Sequence, residues 1–167
     1  MMKKQRGLSI LAAKERGPTL KSAREKMLSR IERGTKCPCC GRFVKIYKRK
    51  LHQEMAIFLI KLVAAYLYKK RYYSTRELLP DAVKAATDGA YLVHWDLVER
   101  QPGKNLAGAK AGMYRPTEKG IDFVKNVFMV PSHLHMLCGE PVGFSNDLCS
   151  INDCLGDDFN YDDLMAL

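Results

Sequence analysis

The clearest rhythm of apolar and polar positions begins at Pro18. Thr19 is placed to cap a helix that gathers Leu20, Ala23, Met27, Leu28 and Ile31 on one side, with Gly34 as its stop. The other side is cationic, with Lys21, Arg24, Lys26, Arg30 and Arg33. Phe43 to Tyr47 then alternates as a short strand does. The most apolar segment follows, "LHQEMAIFLIKLVAAYLYKKRYY". Its Met55, Ile57–Ile60, Leu62, Val63, Tyr66 and Leu67 leave little of the circumference polar, which predicts a buried helix at the centre of the fold.

"STRELLP" offers Ser74 or Thr75 as a cap, Glu77 near the third helical position and Pro80 as a stop, so a short helix is predicted. "DAVKAATDGAYLVHWD" is compatible with a further helix ending near Trp95–Asp96. "LVER" reads as a strand, "QPGKNLAGAKAG" as a glycine-rich loop, and "MYRPTEKGIDFVKNV" as a strand followed by a helix capped at Thr117. Over residues 52–127 the predicted order is long helix, short helix, helix, strand, loop, strand, helix. That is the order of a winged helix-turn-helix, with the helix ending at Trp95 in the recognition position and the two strands with their loop as the wing. Beyond it, "FMVPSHLHMLCGEPVGFS" predicts a hairpin turning near Gly139–Glu140, and "SINDCLGDDFNYDDLMAL" an acidic helix with Ser150 as its cap. The expected fold is therefore α+β and mainly helical. A flexible N-terminus (1–17) and a basic helix with a cysteine turn (18–51) precede a winged-helix domain (52–127), and a hairpin with an acidic C-terminal segment (128–167) follows.

Charge changes this picture more than composition does. A chain of 167 residues can bury enough surface to fold without a covalent staple. Its net charge of +10 is polarised. Residues 1–72 hold 20 Lys/Arg against 4 Asp/Glu, a net of +16, whereas residues 73–167 hold 8 against 14, a net of −6. Such a surface attracts a polyanion, because each phosphate it neutralises releases counterions. A membrane is not the expected partner: no apolar run reaches roughly 18 residues, and Leu8 to Ala13 is too short and broken for a signal core. The six cysteines then point to a reducing cytosol, with thiols free or on metal.

The cysteines concentrate in "CPCCG", where Cys37 and Cys40 have the spacing of a zinc knuckle, a turn that aims two sulfurs at one point and backbone amides at the sulfurs. Tetrahedral zinc needs four ligands. Candidates for the missing pair are Cys149 with Cys154, the group His133, His135 and Cys138, or His52. A site shared by two copies, and hence a homodimer, is another way to complete it, and a metal-free turn is the bland alternative. For nucleic acid, the tract Arg42, Lys45, Lys48, Arg49 and Lys50 is the strongest candidate, positioned to hold backbone phosphates without reading sequence. Arg24 and Arg30 on the first helix, Lys84 on the recognition helix, and Lys104, Asn105, Lys110 and Arg115 around the wing complete the set. The recognition helix is poor in the Arg, Lys, Asn and Gln side chains that read base edges. No phosphate-binding glycine loop, nucleophile elbow or His-Glu-x-x-His motif is present, so an enzyme is not expected.

"HWDLVERQPG" with "GMYRPTEKGIDFVKN" resembles the wing region of winged-helix regulators, although Asp96 stands where that pattern often has glycine. The string from "CPCCGRFVKIYKRK" to "SINDCLGDDFNYDDLM" resembles small uncharacterised bacteriophage and prophage proteins. The resemblance implies a phage-encoded protein in the cytoplasm of a bacterial host. Together these readings predict a DNA-binding regulator or accessory factor, acting on double-stranded DNA. The alternative is an interaction module that engages a host protein through the winged helix and the acidic C-terminus.

Overall fold

A computed structural model of the chain describes residues 18–80, 88–102 and 112–156. It divides into two compact units, with the boundary between Ile46 and Tyr47.

In the N-terminal unit, helix α1 (Leu20–Leu28) starts where expected: the Thr19 hydroxyl oxygen accepts the Ser22 amide hydrogen bond at 3.2 Å. The chain leaves through Gly34, whose φ of 92° is a left-handed conformation and whose amide bonds the Arg30 carbonyl. A Cβ on Gly34 would stand 2.3 Å from the Phe43 ring, so glycine is required here twice over. Strands β1 (Thr35–Lys36) and β2 (Phe43–Val44) then pair antiparallel, Thr35 opposite Val44, and close the cysteine turn between them. Strand β3 (Ile46–Lys50) leaves this unit.

The second unit is built on helix α2 (Gln53–Tyr68), the central helix that the apolar run predicts. Met55, Ala56, Phe58, Leu59, Ile60, Leu62 and Val63 are all buried. After it come strand β4 (Tyr73–Ser74), helix α3 (Thr75–Leu78), a 3-10 helix (Gly89–Trp95), strands β5 (Val98–Arg100) and β6 (Met113–Pro116), and helix α4 (Glu118–Val124). Strands β7 (Val130–Pro131), β8 (His133–Leu137), β9 (Glu140–Phe144) and β10 (Leu148–Cys149) and helix α5 (Ile151–Leu155) complete it. The predicted caps are in place: Ser74 accepts from Glu77, Thr117 from Gly120 and Ser150 from Asp153. The predicted hairpin is β8–β9, and its turn is Cys138–Gly139, both at positive φ, as a two-residue hairpin turn demands.

The fold class differs from the expectation. The protein is not mainly helical around a winged helix; it is mixed α/β, with its strands in four small antiparallel sheets of order β1-β2, β7-β10, β3-β8-β9 and β4-β6-β5. Two physical features explain the difference. Several strands are only two residues long, too short to leave a period-two signature, and β3 is almost wholly exposed and cationic rather than alternating. In the described part of the expected recognition helix, Asp88 is α-helical and Gly89–Trp95 is 3-10. The 3-10 part begins at a glycine, a weak helix former, and stops at Asp96, which is left-handed at φ 60°.

Candidate functional site

Strand β3 presents Tyr47, Lys48, Arg49 and Lys50 to solvent. It is an edge strand, and lysines on an edge discourage pairing with another chain while offering charge to a ligand. Its far end is pinned by Leu51, which is fully buried and donates its amide to the Ser132 carbonyl at 2.9 Å. The chain then turns at His52 into α2. Three charges are thereby fixed beside the core instead of trailing in a flexible tail.

A pocket of about 210 Å³ opens there. Lys48, Arg49 and Lys50 line it on the strand side, His52 at the helix start, and Asp88, Tyr91 and Trp95 on the 3-10 helix and the residue before it. The Arg49 guanidinium carbon lies 4.4 Å from the centre of the Tyr91 ring, a cation–π stack. His52 Nε2 and Asp88 Oδ2 are 3.2 Å apart, so the imidazole holds one carboxylate oxygen. Trp95 is almost completely buried; its indole N–H donates to the Pro131 carbonyl at 2.6 Å and its ring tilts against Phe144 at 5.7 Å. The pocket therefore joins a cationic rim, a half-buried tyrosine and a rigid tryptophan.

The other predicted contacts separate into three groups. Arg24, Arg30 and Arg42 are exposed in the N-terminal unit, and Lys45 is half-buried there. Arg115 is ion-paired with Glu99 and stacked over Tyr72 at 5.1 Å, with its side chain still partly exposed. Lys84, Lys104, Asn105 and Lys110 lie outside the described residues. Asp88, Tyr91 and Trp95 are not among the contacts that the sequence predicts. The "YLVHW" spacing carried no hint that these residues meet β3, because that meeting is long-range.

The cysteine turn has part of the predicted knuckle. Cys37 N–H donates to the Arg42 carbonyl and Gly41 N–H to the Cys37 carbonyl, both at 2.8 Å. Backbone amides of Cys40 and then Cys39 point at the Cys37 sulfur and hold its thiol below the ordinary range. Desolvation and then the neighbouring Cys37 charge push the Cys39 thiol up. In the second unit, Cys149 and Cys154 are buried with sulfurs 3.5 Å apart; the Cys154 thiol donates to Cys149, lowering the Cys149 thiol and raising its own. Cys138 sits exposed in the β8–β9 turn, and His133 Nδ1 bonds the Ser132 hydroxyl at 2.8 Å. Among the described residues, no group of three or more His, Cys, Asp and Glu is arranged to hold a metal ion.

No protein-family model matches the chain, and it has no significant match among curated proteins or solved structures. Among the described residues, no helix is long and apolar enough to cross a membrane.

Proposed function

We propose that the protein binds nucleic acid, with DNA as the partner, through phosphate contacts from Lys48, Arg49 and Lys50. The observation that carries this reading is the fixed, exposed basic strand beside an aromatic pocket. Lysine and arginine on such a strand position a protein on the phosphate backbone without reading sequence. The role is that of a regulator or accessory factor in a bacterial cytoplasm, in keeping with the phage-protein resemblance, and binding rather than catalysis is its activity. The test is fluorescence anisotropy with labelled DNA across a salt series. Affinity should fall steeply with salt, and K48E/R49E/K50E should lower the slope of log K against log salt by roughly 2–3. Absence of binding at low salt, or binding indifferent to salt, overturns the reading.

The knuckle adds zinc as a cofactor, with Cys37 and Cys40 as ligands and the missing pair supplied by a second copy. Elemental analysis should then find about half a zinc per chain, because two pairs make one tetrahedral site. Cys37→Ser should abolish both the metal and the zinc-dependent dimer. One zinc per chain in a monomer defeats the shared site.

A second reading is favoured by one observation. Val142, Phe144, Leu148 and Met129 are exposed apolar residues on or near the hairpin edge strand β9. They suit a protein partner such as a host factor. A single partner recovered from nuclease-treated host lysate, and lost on V142D, would support it; recovery unchanged by V142D would sink it.

A further inference from the structure

We propose that the pocket beside β3 is a nucleotide site that takes one unstacked base with its phosphate from single-stranded DNA. The inference rests on the nucleic-acid reading above and narrows it. A purely phosphate-binding surface needs charge alone. This pocket has charge on its rim and aromatic side chains within about 210 Å³, room for more than a phosphate. Proteins that bind single strands combine these two elements, cations that follow the backbone and flat side chains on which a base stacks. In duplex DNA both faces of a base are covered by its neighbours, so only an unstacked base reaches such walls. The Arg49–Tyr91 stack supplies a guanidinium plane backed by a ring, a surface on which a base can lie.

Asp88 refines the choice of base. A carboxylate among three cations weakens phosphate binding, so its presence asks for a different partner. His52 engages Oδ2, and a carboxylate has a second oxygen with which to accept. A carboxylate oxygen accepts from an exocyclic amino group, as carboxylates do from cytosine N4. Thymine has no such group. Asp88 therefore favours cytosine and other amino-bearing bases over thymine, while Lys48 and Lys50 take the phosphate.

The chain has a single tryptophan, and it lines this pocket, so selectively excited tryptophan emission responds to occupancy of the site. The protein is titrated with oligo-dC, oligo-dT and inorganic phosphate at low salt, following Trp95 emission and, in parallel, anisotropy of the labelled oligonucleotides. Oligo-dC should change Trp95 emission saturably, with oligo-dT weaker by about fivefold or more, and phosphate should leave emission unaltered. Asp88→Asn should erase the dC preference, and Tyr91→Ala should remove the emission change with its thermal melt intact. If Tyr91→Ala does not fold, Asp88→Asn, at a partly exposed position, carries the test. Anisotropy rising with unaltered Trp95 emission would overturn the pocket and leave nucleic-acid binding standing. Equal responses to oligo-dC and oligo-dT, or a full response to phosphate alone, would overturn the nucleotide assignment. No binding by either readout would overturn both proposals.

Discussion

The two units are stabilised in different ways. In the N-terminal unit the buried apolar residues among those described are Ala23, Ile31 and Val44, and Leu20 on α1 is 80% exposed. What holds it is local: a Thr19 cap, a left-handed glycine and a two-rung hairpin. The second unit has a continuous core around α2, reaching Leu92, Trp95, Phe123, Leu134 and Ile151. The difference shows that positive charge alone does not make an aromatic-walled pocket. Basic residues crowd both sides of the boundary, but a pocket with a rigid aromatic wall exists where the basic strand borders the large core.

The largest test of this contrast deletes comparable apolar side chains in each unit. Phe58 is fully buried on α2, and Phe58→Ala should cost about 3–5 kcal/mol through lost transfer energy and a residual cavity. Leu20→Ala removes an exposed side chain and should change stability by less than about 0.5 kcal/mol. Urea denaturation of both variants checks this. A large loss for Leu20→Ala would mean that α1 buries its apolar side against a partner, and the contrast between the units would fail.

A smaller effect probes how tightly the second unit is closed. A Cβ on Gly120 would stand 1.9 Å from the Leu97 carbonyl oxygen, a backbone atom that cannot swing aside. Thr117 and Lys119 tie α4 to this same turn through the Asp96 and Trp95 carbonyls. Gly120→Ala should therefore destabilise by about 1–3 kcal/mol despite alanine's better helix propensity. Because the shift falls on the Trp95–Asp96–Leu97 turn, it should also alter Trp95 emission. A variant as stable as the parent, with unaltered emission, would show that the helix and turn are looser than their contacts suggest.

Much of each unit's local structure was legible in the sequence, and the parts that were not share a cause. Thr19, Ser74, Thr117 and Ser150 announced four helix starts because capping is a local reaction of one side chain with amides two or three residues on. The α2 run announced the core by composition alone. The mixed α/β architecture was not legible, because two-residue strands such as Tyr73–Ser74 are defined by partners far along the chain, here Met113 and Tyr114. The candidate site was half legible for the same reason. Lys48, Arg49 and Lys50 are adjacent and visible, whereas Asp88, Tyr91 and Trp95 join them only through folding. Arg115 shows the same limit: its ion pair with Glu99, across the β5–β6 ladder, has no signal in the sequence.

The helix caps give a finer comparison. Thr19 caps an exposed helix with a single accepted bond, so Thr19→Ala should cost about 0.5–1 kcal/mol, read as lost helicity by circular dichroism. Ser150 is buried and sits in a reciprocal capping box with Asp153, so Ser150→Ala should cost more, about 1–2 kcal/mol. Equal losses at the two positions would mean that burial adds nothing to a cap.

The smallest effect is a pH dependence from the other half of that box. The Ser150 amide and then its hydroxyl donate to the Asp153 carboxylate, at 2.8 and 2.7 Å, and hold it below the usual carboxylate range. A depressed folded-state value means that the unfolded chain binds the proton more readily. The contribution is therefore complete above the unfolded value near pH 4 and fades as the pH falls through the lower folded value. Asp153→Asn should remove this component, flattening the stability profile below about pH 4 relative to the parent while leaving its shape above pH 5 alone. The carboxylate is close to solvent, so the change should be a small fraction of the Phe58→Ala loss. An unchanged acid limb in Asp153→Asn would show that the capping box forms without favouring the charged carboxylate, and that α5 is held by Ile151 and Leu155 in the core alone.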